Sequence, residues 1–324
     1  MTNPSDADAA FDVRAPRPIR RVLVGVSLEP EEGAVLSAAA AVARTTGASL
    51  TVVHAAEPPV DAWAFTMPAA SLEDLRSRLA DEVRRLAAPA QEPCEISVAY
   101  GAAHRVLDEA AQRVSPDLIV VGATVRRGAA LLGSTAERVV RKATVPVLVV
   151  RGPLEIPPRR VVAPVDLSAL SADGFHCGLA LVSRLAGGEQ VEVVALFAIG
   201  YLDPMAREMR EQRWSVDEMT KLARNRLEGL VEEHRPTAPL RVESKVVLGP
   251  AREEILGEAK QADLVVMSTH GHGGFEKLVL GSVASTVVRE APCSVLLVPP
   301  EAAFGDAIAE AVLSQTAPCK TASV

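Results

Sequence analysis

Aromatic side chains are scarce in this chain: two Trp, two Tyr and six Phe make up 3% of 324 residues. Single-stranded nucleic acid is held by stacking bases on aromatic rings, so this scarcity argues against such a platform. Positive charge is short as well. Lys and Arg number 34 against 41 Asp and Glu, a formal net charge of −7, which argues against a general nucleic-acid or anionic-membrane surface. The four cysteines, Cys94, Cys177, Cys293 and Cys319, include no C-x-x-C pair. They suit reduced thiols better than a disulfide framework. No apolar run approaches the roughly 18 residues of a membrane span, and residues 1–18 lack the apolar stretch of a signal peptide. The expectation is a cytoplasmic protein with a disordered leader over 1–18.

Signatures of catalysis are missing too. There is no G-x-x-x-x-G-K-[ST] phosphate loop, with Lys277 in the wrong place for one, and no G-x-S-x-G nucleophile elbow. His270 and His272 flank Gly271, yet no carboxylate or Cys lies at a matching metal-ligand spacing. No metal site is expected.

What the chain does contain is one pattern written twice. At 324 residues the chain is long enough for about two domains, and its 48% of apolar residues gives them cores to bury. IRRVLVGVS (19–27) and LTVVHA (50–55) have the continuous apolar character of strands buried on both faces. Between them, residues 31–46 form an Ala-rich helix that Gly47 stops. Ser71-Leu72-Glu73-Asp74 has the form of a capping box opening a second helix. EISVAYG (95–101), a helix over 103–113, DLIVVG (117–122), a helix from about Ser134 and PVLVVR (146–151) complete the unit.

After a Pro-rich linker, GPLEIPP (152–158), the same order returns. Arg159-Arg160-Val161-Val162 matches Arg20-Arg21-Val22-Leu23, and VEVVALF (191–197) matches LTVVHAA. VESKVVLG, DLVVMS and SVLLVP answer EISVAYG, DLIVVG and PVLVVR. A long helix is expected over about 204–234, with Val216, Met219, Leu222, Leu227 and Leu230 apolar. Residues 300–324 read as a tail with a marginal helix. Five alternations of strand and helix per half imply a duplicated domain, each copy a parallel sheet covered on both faces. Ligands of such sheets bind at the carboxyl ends of the strands, where the strand order reverses.

The candidate site lies there in the second half. From Ser268 the chain reads S-T-H-G, nine residues, then Gly281-Ser282. Gly271 and Gly281 can let a phosphate approach the backbone without a Cβ in the way. Ser282, read as the N-cap of the next helix, offers a hydroxyl and an N–H to an anion. The plainer reading is a long connection in which glycines make turns and Ser282 only caps. Asp166, at the end of the first strand, has two readings as well. It bonds a ribose hydroxyl or holds Mg²⁺, because a carboxylate about 4 Å from a phosphate oxygen would cost about 4 kcal/mol at an effective dielectric of 20. Alternatively it caps the following helix with Ser168 nearby. Cys293 reads as a small buried residue. In the first half the loop is two residues shorter, Val125 stands in place of Gly271, and Ser27 in place of Asp166. Arg126 and Arg127 remain to attract an anion there, but a weak or empty pocket is expected.

These residues resemble the nucleotide motif G-x2-G-x9-G-[ST] of the universal stress proteins. The second-half match is Ser268, Gly271, Gly281 and Ser282, with Ser in place of the first Gly; the first half keeps Gly122, Gly133 and Ser134. The resemblance spans residues 19–151 and 159–299. It implies two tandem Rossmann-like α/β domains, each a five-stranded parallel sheet with helices on both faces. It further implies ATP, with Mg²⁺, bound in the second domain by Pro164, Val165, Asp166, Leu196, Met267, Ser268, His270, Gly271, Gly281, Ser282, Val283 and Ala284. Family members pair through their last strands, so the two halves are expected to form an intrachain pseudo-dimer, with a homodimer as a further assembly.

The function so implied is regulatory, with nucleotide state biasing contacts with protein partners. Hydrolysis, where present, would be slow, since no base to activate water and no arginine finger can be named. Two alternatives are a nucleotide-free tandem scaffold and an adenylyl-transferring enzyme of the related adenine-nucleotide hydrolase type. The latter carries an S-G-G-x-D-S loop where this chain reads VDLSALSADG.

Overall fold

The computed structural model describes residues 18–27, 33–56, 72–86, 94–123, 132–200, 214–234, 239–269 and 280–299. All but the last residue of the leader expected over 1–18, Ser71 of the expected capping box, Val125, Arg126, Arg127, the loop over 270–279 (His270, Gly271 and His272 included) and the tail over 300–324 lie outside them. The first half runs β1 (Arg21–Val26), α1 (Gly33–Thr46), β2 (Ser49–Ala56), α2 (Leu72–Leu86), β3 (Cys94–Tyr100), α3 (Ala103–Val114), β4 (Leu118–Gly122), α4 (Ser134–Lys142) and β5 (Val147–Val150). The second runs β6 (Arg160–Pro164), α5 (Ala169–Ala186), β7 (Val191–Ile199), α6 (Val216–Glu233), β8 (Leu240–Leu248), α7 (Ala251–Ala259), β9 (Leu264–Ser268), α8 (Ser282–Glu290) and β10 (Ser294–Val298).

All ten strands join one sheet in the order β3-β2-β1-β4-β5-β10-β9-β6-β7-β8. Within each half every pairing is parallel. The halves meet where β5 and β10 pair antiparallel, with Leu297 opposite Val147, Leu296 opposite Leu148 and Val295 opposite Val149. Every residue of β5, β9 and β10 is buried, the condition that makes these strands read as unbroken Val/Leu runs. On one face α1, α2, α5 and α6 bury their apolar stripes in a single cluster that includes Val22, Leu36, Leu148, Leu185 and Leu227. On the other, α3, α4, α7 and α8 cover Leu23, Val121, Val149, Met267 and Leu297. Both clusters run through both halves, so no solvent layer divides the two copies.

The repeat extends to hydrogen-bond detail. Asp117 Oδ2 accepts from the N–H groups of Arg20 and Arg21 at 2.8 and 2.9 Å. Asp263 Oδ2 does the same for Arg159 and Arg160, at 2.8 and 2.9 Å. Each Asp thus fixes the start of the first strand of its half against the fourth. Their surroundings differ. In the second half Glu258 of α7 accepts from Arg160 at 2.8 Å and Lys245 at 2.5 Å. Burial pushes the Glu258 carboxyl up, but the two cations outweigh it and hold it below its ordinary value.

One sequence expectation is corrected by cap chemistry. The helix expected over about 204–234 is interrupted at Ser215, residues 204–213 lying outside the described ones: Ser215 has extended backbone and caps α6, accepting from Glu218 N–H, while the Glu218 carboxylate accepts from Ser215 N–H. This reciprocal capping box starts the helix at Val216. The buried stripe is Met219, Ala223 and Leu227, and Val216 is exposed.

Candidate functional site

β6 lies between β9 and β7, so the strand order reverses around it and the carboxyl ends of all three converge. Strand pairing ends at Pro164, two residues before Asp166, which therefore does not end the strand as expected. Val165 N–H still donates to the Leu196 carbonyl at 2.9 Å. Leu167 then takes a left-handed φ of 61°. For a branched side chain this conformation costs about 1–2 kcal/mol. The turn delivers Ser168 as the N-cap of α5, its Oγ accepting from Ser171 N–H at 3.2 Å. Asp166 Oδ1 accepts from Ser168 N–H at 3.0 Å and Ser168 Oγ–H at 2.6 Å, while Asp166 N–H donates to Ser171 Oγ at 3.1 Å. The capping reading of Asp166 thus holds in modified form: Ser168 is the cap, and Asp166 braces it.

Across the site, the ends of the candidate loop are tied together. Thr269 N–H donates to the Val298 carbonyl at 3.0 Å, and the Thr269 carbonyl accepts from Gly281 N–H at 2.9 Å. A Cβ at Gly281 would stand 3.3 Å from that carbonyl oxygen, a separation few side chains tolerate. Gly281, not Ser282, is the N-cap of α8, with extended backbone and no side-chain cap bond. Ser282 is the first helical residue. The first intrahelical bond runs from Ser285 N–H to the Gly281 carbonyl at 2.8 Å. The N–H groups of Ser282, Val283 and Ala284 therefore precede the ladder and face out of the helix end, where the macrodipole favours an anion.

Leu196, Met267 and Ala284 share the core beneath α7 and α8 with Leu280. Ser268 faces the other way. A Cβ at Gly174 of α5 would fall 2.6 Å from Ser268 Cβ and 3.0 Å from its Oγ, so the Ser268 side chain occupies the notch that Gly174 leaves. In the first half the pattern is exchanged: Gly122 stands on the strand, and α1 has no glycine after Gly33. The Ser in place of the motif's first Gly is thus housed in the helix layer.

Pro164, Val165, Asp166, Met267 and Ser268 lie at or just beyond the carboxyl ends of β6 and β9, and Gly281, Ser282, Val283 and Ala284 at the α8 N-terminus that the Thr269–Gly281 bond ties to β9; Leu196 lies within β7, opposite Pro164, and is buried in the core. His270 and Gly271 fall outside the described residues. Sequence reasoning missed Leu167, Ser168 in its capping role, Thr269 and Gly174. Only Ser168 carried a signal, as a cap residue before an apolar helix.

The equivalent place in the first half is a cavity of about 120 Å³ lined by Gly25, Val26, Ser27, Gly122, Thr135 and Ala136 among others. Small-molecule sites usually measure about 300–1,000 Å³. Leu107 narrows it, standing 2.8 Å from where a Gly25 Cβ would be. Among the described residues, no group of three or more His, Cys, Asp or Glu is placed to hold a metal ion. Burial pushes the Cys293 thiol up to about 11, so it is neutral at physiological pH.

The family model of the universal stress proteins matches residues 18–151 and again residues 158–299. The chain belongs to the universal stress protein family. A universal stress protein of Mycolicibacterium smegmatis is 28% identical over 293 residues, covering 86% of this chain and 97% of that one. Among solved structures, a functionally unknown Pseudomonas aeruginosa protein aligns with a TM-score of 0.64 at 19% identity, covering 94% of this chain and 99% of its own. A universal stress protein from Archaeoglobus fulgidus aligns with a TM-score of 0.59 at 17% identity, covering 86% and 96%. At those identities the likeness is one of fold, here the tandem Rossmann-like arrangement.

Proposed function

We propose that this universal stress protein binds one ATP in its second half and works as a regulatory binding protein rather than an enzyme. The observation that carries the reading is the bond from Gly281 N–H to the Thr269 carbonyl. It closes the Gly-bearing loop and sets the first-turn N–H groups of α8 beside the reversal point of the sheet. Phosphates are received by the N–H groups of Ser282, Val283 and Ala284. The adenosine lies toward the ends of β6 and β7, near Val165 and Leu196, with Asp166 braced by Ser168 for the ribose. Mg²⁺ suits the same place, since one carboxylate plus phosphate oxygens is a ligand set it ordinarily takes. Asp166 is the one carboxylate among the residues named for the site. Nucleotide occupancy then biases contacts with protein partners. Denaturing the purified protein and identifying the released small molecules by mass tests this. Adenine nucleotide at close to one per chain, lost in Gly271→Val, is the expected result. A nucleotide-free protein that takes up none on incubation with ATP leaves the scaffold reading standing instead.

A further inference from the structure

A second cavity, of about 580 Å³, shares no lining residue with the set assigned to nucleotide. That volume is ordinary for a small-molecule site. It opens at the amino ends of β4 and β5, between α3 and α4. Leu107, Ala111, Val139 and Pro146 line it from the first half, and Cys177 and Leu181 of α5 line it from the second. Because β5 and β10 are antiparallel, this end of the first half lies on the same edge of the sheet as the carboxyl ends of β9 and β10. The cavity is therefore walled from both halves.

Its chemistry is that of binding rather than reaction. Cys177 is buried, which pushes its thiol up to about 12, so it presents apolar surface and no nucleophile. Both lining carboxylates are engaged: Asp108 pairs with Lys142 at 3.1 Å, and Asp117 accepts from Arg20 and Arg21 N–H. The Arg21 guanidinium is the lining cation that makes no ion pair among the described residues. Its counterpart in the repeat, Arg160, is neutralised by Glu258 at 2.8 Å, where the first half has Ala110. Gln112, Ser115 and Thr144 add neutral polar groups at the rim.

We infer that this cavity binds a small amphipathic anion, its head on Arg21 and its apolar body against Val139, Cys177 and Leu181. Octanoate is a suitable probe. Titrated calorimetrically into the full chain, it is expected to bind saturably, one per chain, with the same affinity whether or not ATP is saturating. Arg21→Gln, at an exposed position, weakens it about tenfold, the effect of losing a charge-assisted pair. Arg21→Lys keeps most of the affinity, and 1-octanol binds as weakly to wild type as octanoate does to Arg21→Gln. Ala111→Trp, checked for folding by circular dichroism, fills the cavity and abolishes binding. The inference is overturned by no saturable binding to wild type, by equal affinity in Arg21→Gln, or by displacement of octanoate by ATP. The wild-type, Arg21 and octanol arms are read without ATP, so they do not depend on whether ATP binds in the second half.

Discussion

At the scale of single residues, the second-half site rests on two contacts that no local pattern announces. Ser268 fits because Gly174 leaves room for it, and the pair is expected to couple. Gly174→Ala alone should destabilise the chain by about 1–3 kcal/mol through overpacking, since its methyl would fall 2.6 Å from Ser268 Cβ. Adding Ser268→Gly should return most of that loss, measured by urea unfolding. Strictly additive changes in the double variant would show that the two side chains do not share one notch. Ser168→Ala should cost about 1 kcal/mol as a lost N-cap and should also weaken ATP binding, because Asp166 loses its brace. Asp166 and the Gly-Ser pair were legible in the sequence as chemistry. Their placement was not: Ser is a favoured cap type, so Ser282 was read as the cap. The first intrahelical bond, from Ser285 N–H to the Gly281 carbonyl, assigns that role to Gly281.

At the scale of elements, strands were read to within a few residues, because a parallel strand covered on both faces must be a continuous apolar run. Helix starts were less legible. The apolar spacing through 204–234 hides the Ser215–Glu218 box that starts α6, and Val216, counted as core, is exposed. The Arg160–Glu258–Lys245 network gives the β6–α7–β8 layer a pH dependence whose sign follows from the carboxyl. Glu258 is held below its ordinary value of 4.5. Its contribution is present in full above that value and is lost as pH falls through the lower folded value. Glu258→Gln should therefore be less stable than wild type at pH 7, and the gap should close in acid, below about pH 4. A gap that stays constant down to pH 3 would contradict this. The seam has a comparable element-scale contact. Arg151 donates to the α8 carbonyls of Val288 and Arg289 at 3.3 and 3.0 Å, and its N–H donates to Ser294 Oγ at 3.0 Å. Arg151→Ala should lower stability by about 1.5–3 kcal/mol, as expected for charged hydrogen bonds at a helix C-terminus.

At the scale of the whole molecule, duplication has produced one body with unequal ends. The continuous ten-stranded sheet and the two core clusters shared by both halves predict a single cooperative unfolding transition, coincident by calorimetry and circular dichroism. Two resolved transitions would mean that the halves melt separately. The inequality lies at the strand ends. The first half keeps the frame of the site around a cavity of about 120 Å³ that Leu107 lines. Both halves keep an uncapped helix start, at Gly133 and at Gly281; the second alone has Asp166, bonded to Ser168, where the first has Ser27. Calorimetric titration of the full chain with ATP·Mg, alongside Gly281→Val, tests this asymmetry most directly. The expected result is saturation at one ATP per chain in wild type and loss of that binding in the variant, whose added Cβ would press on the Thr269 carbonyl. Two equivalent sites per chain, or undiminished binding in the variant, would contradict it.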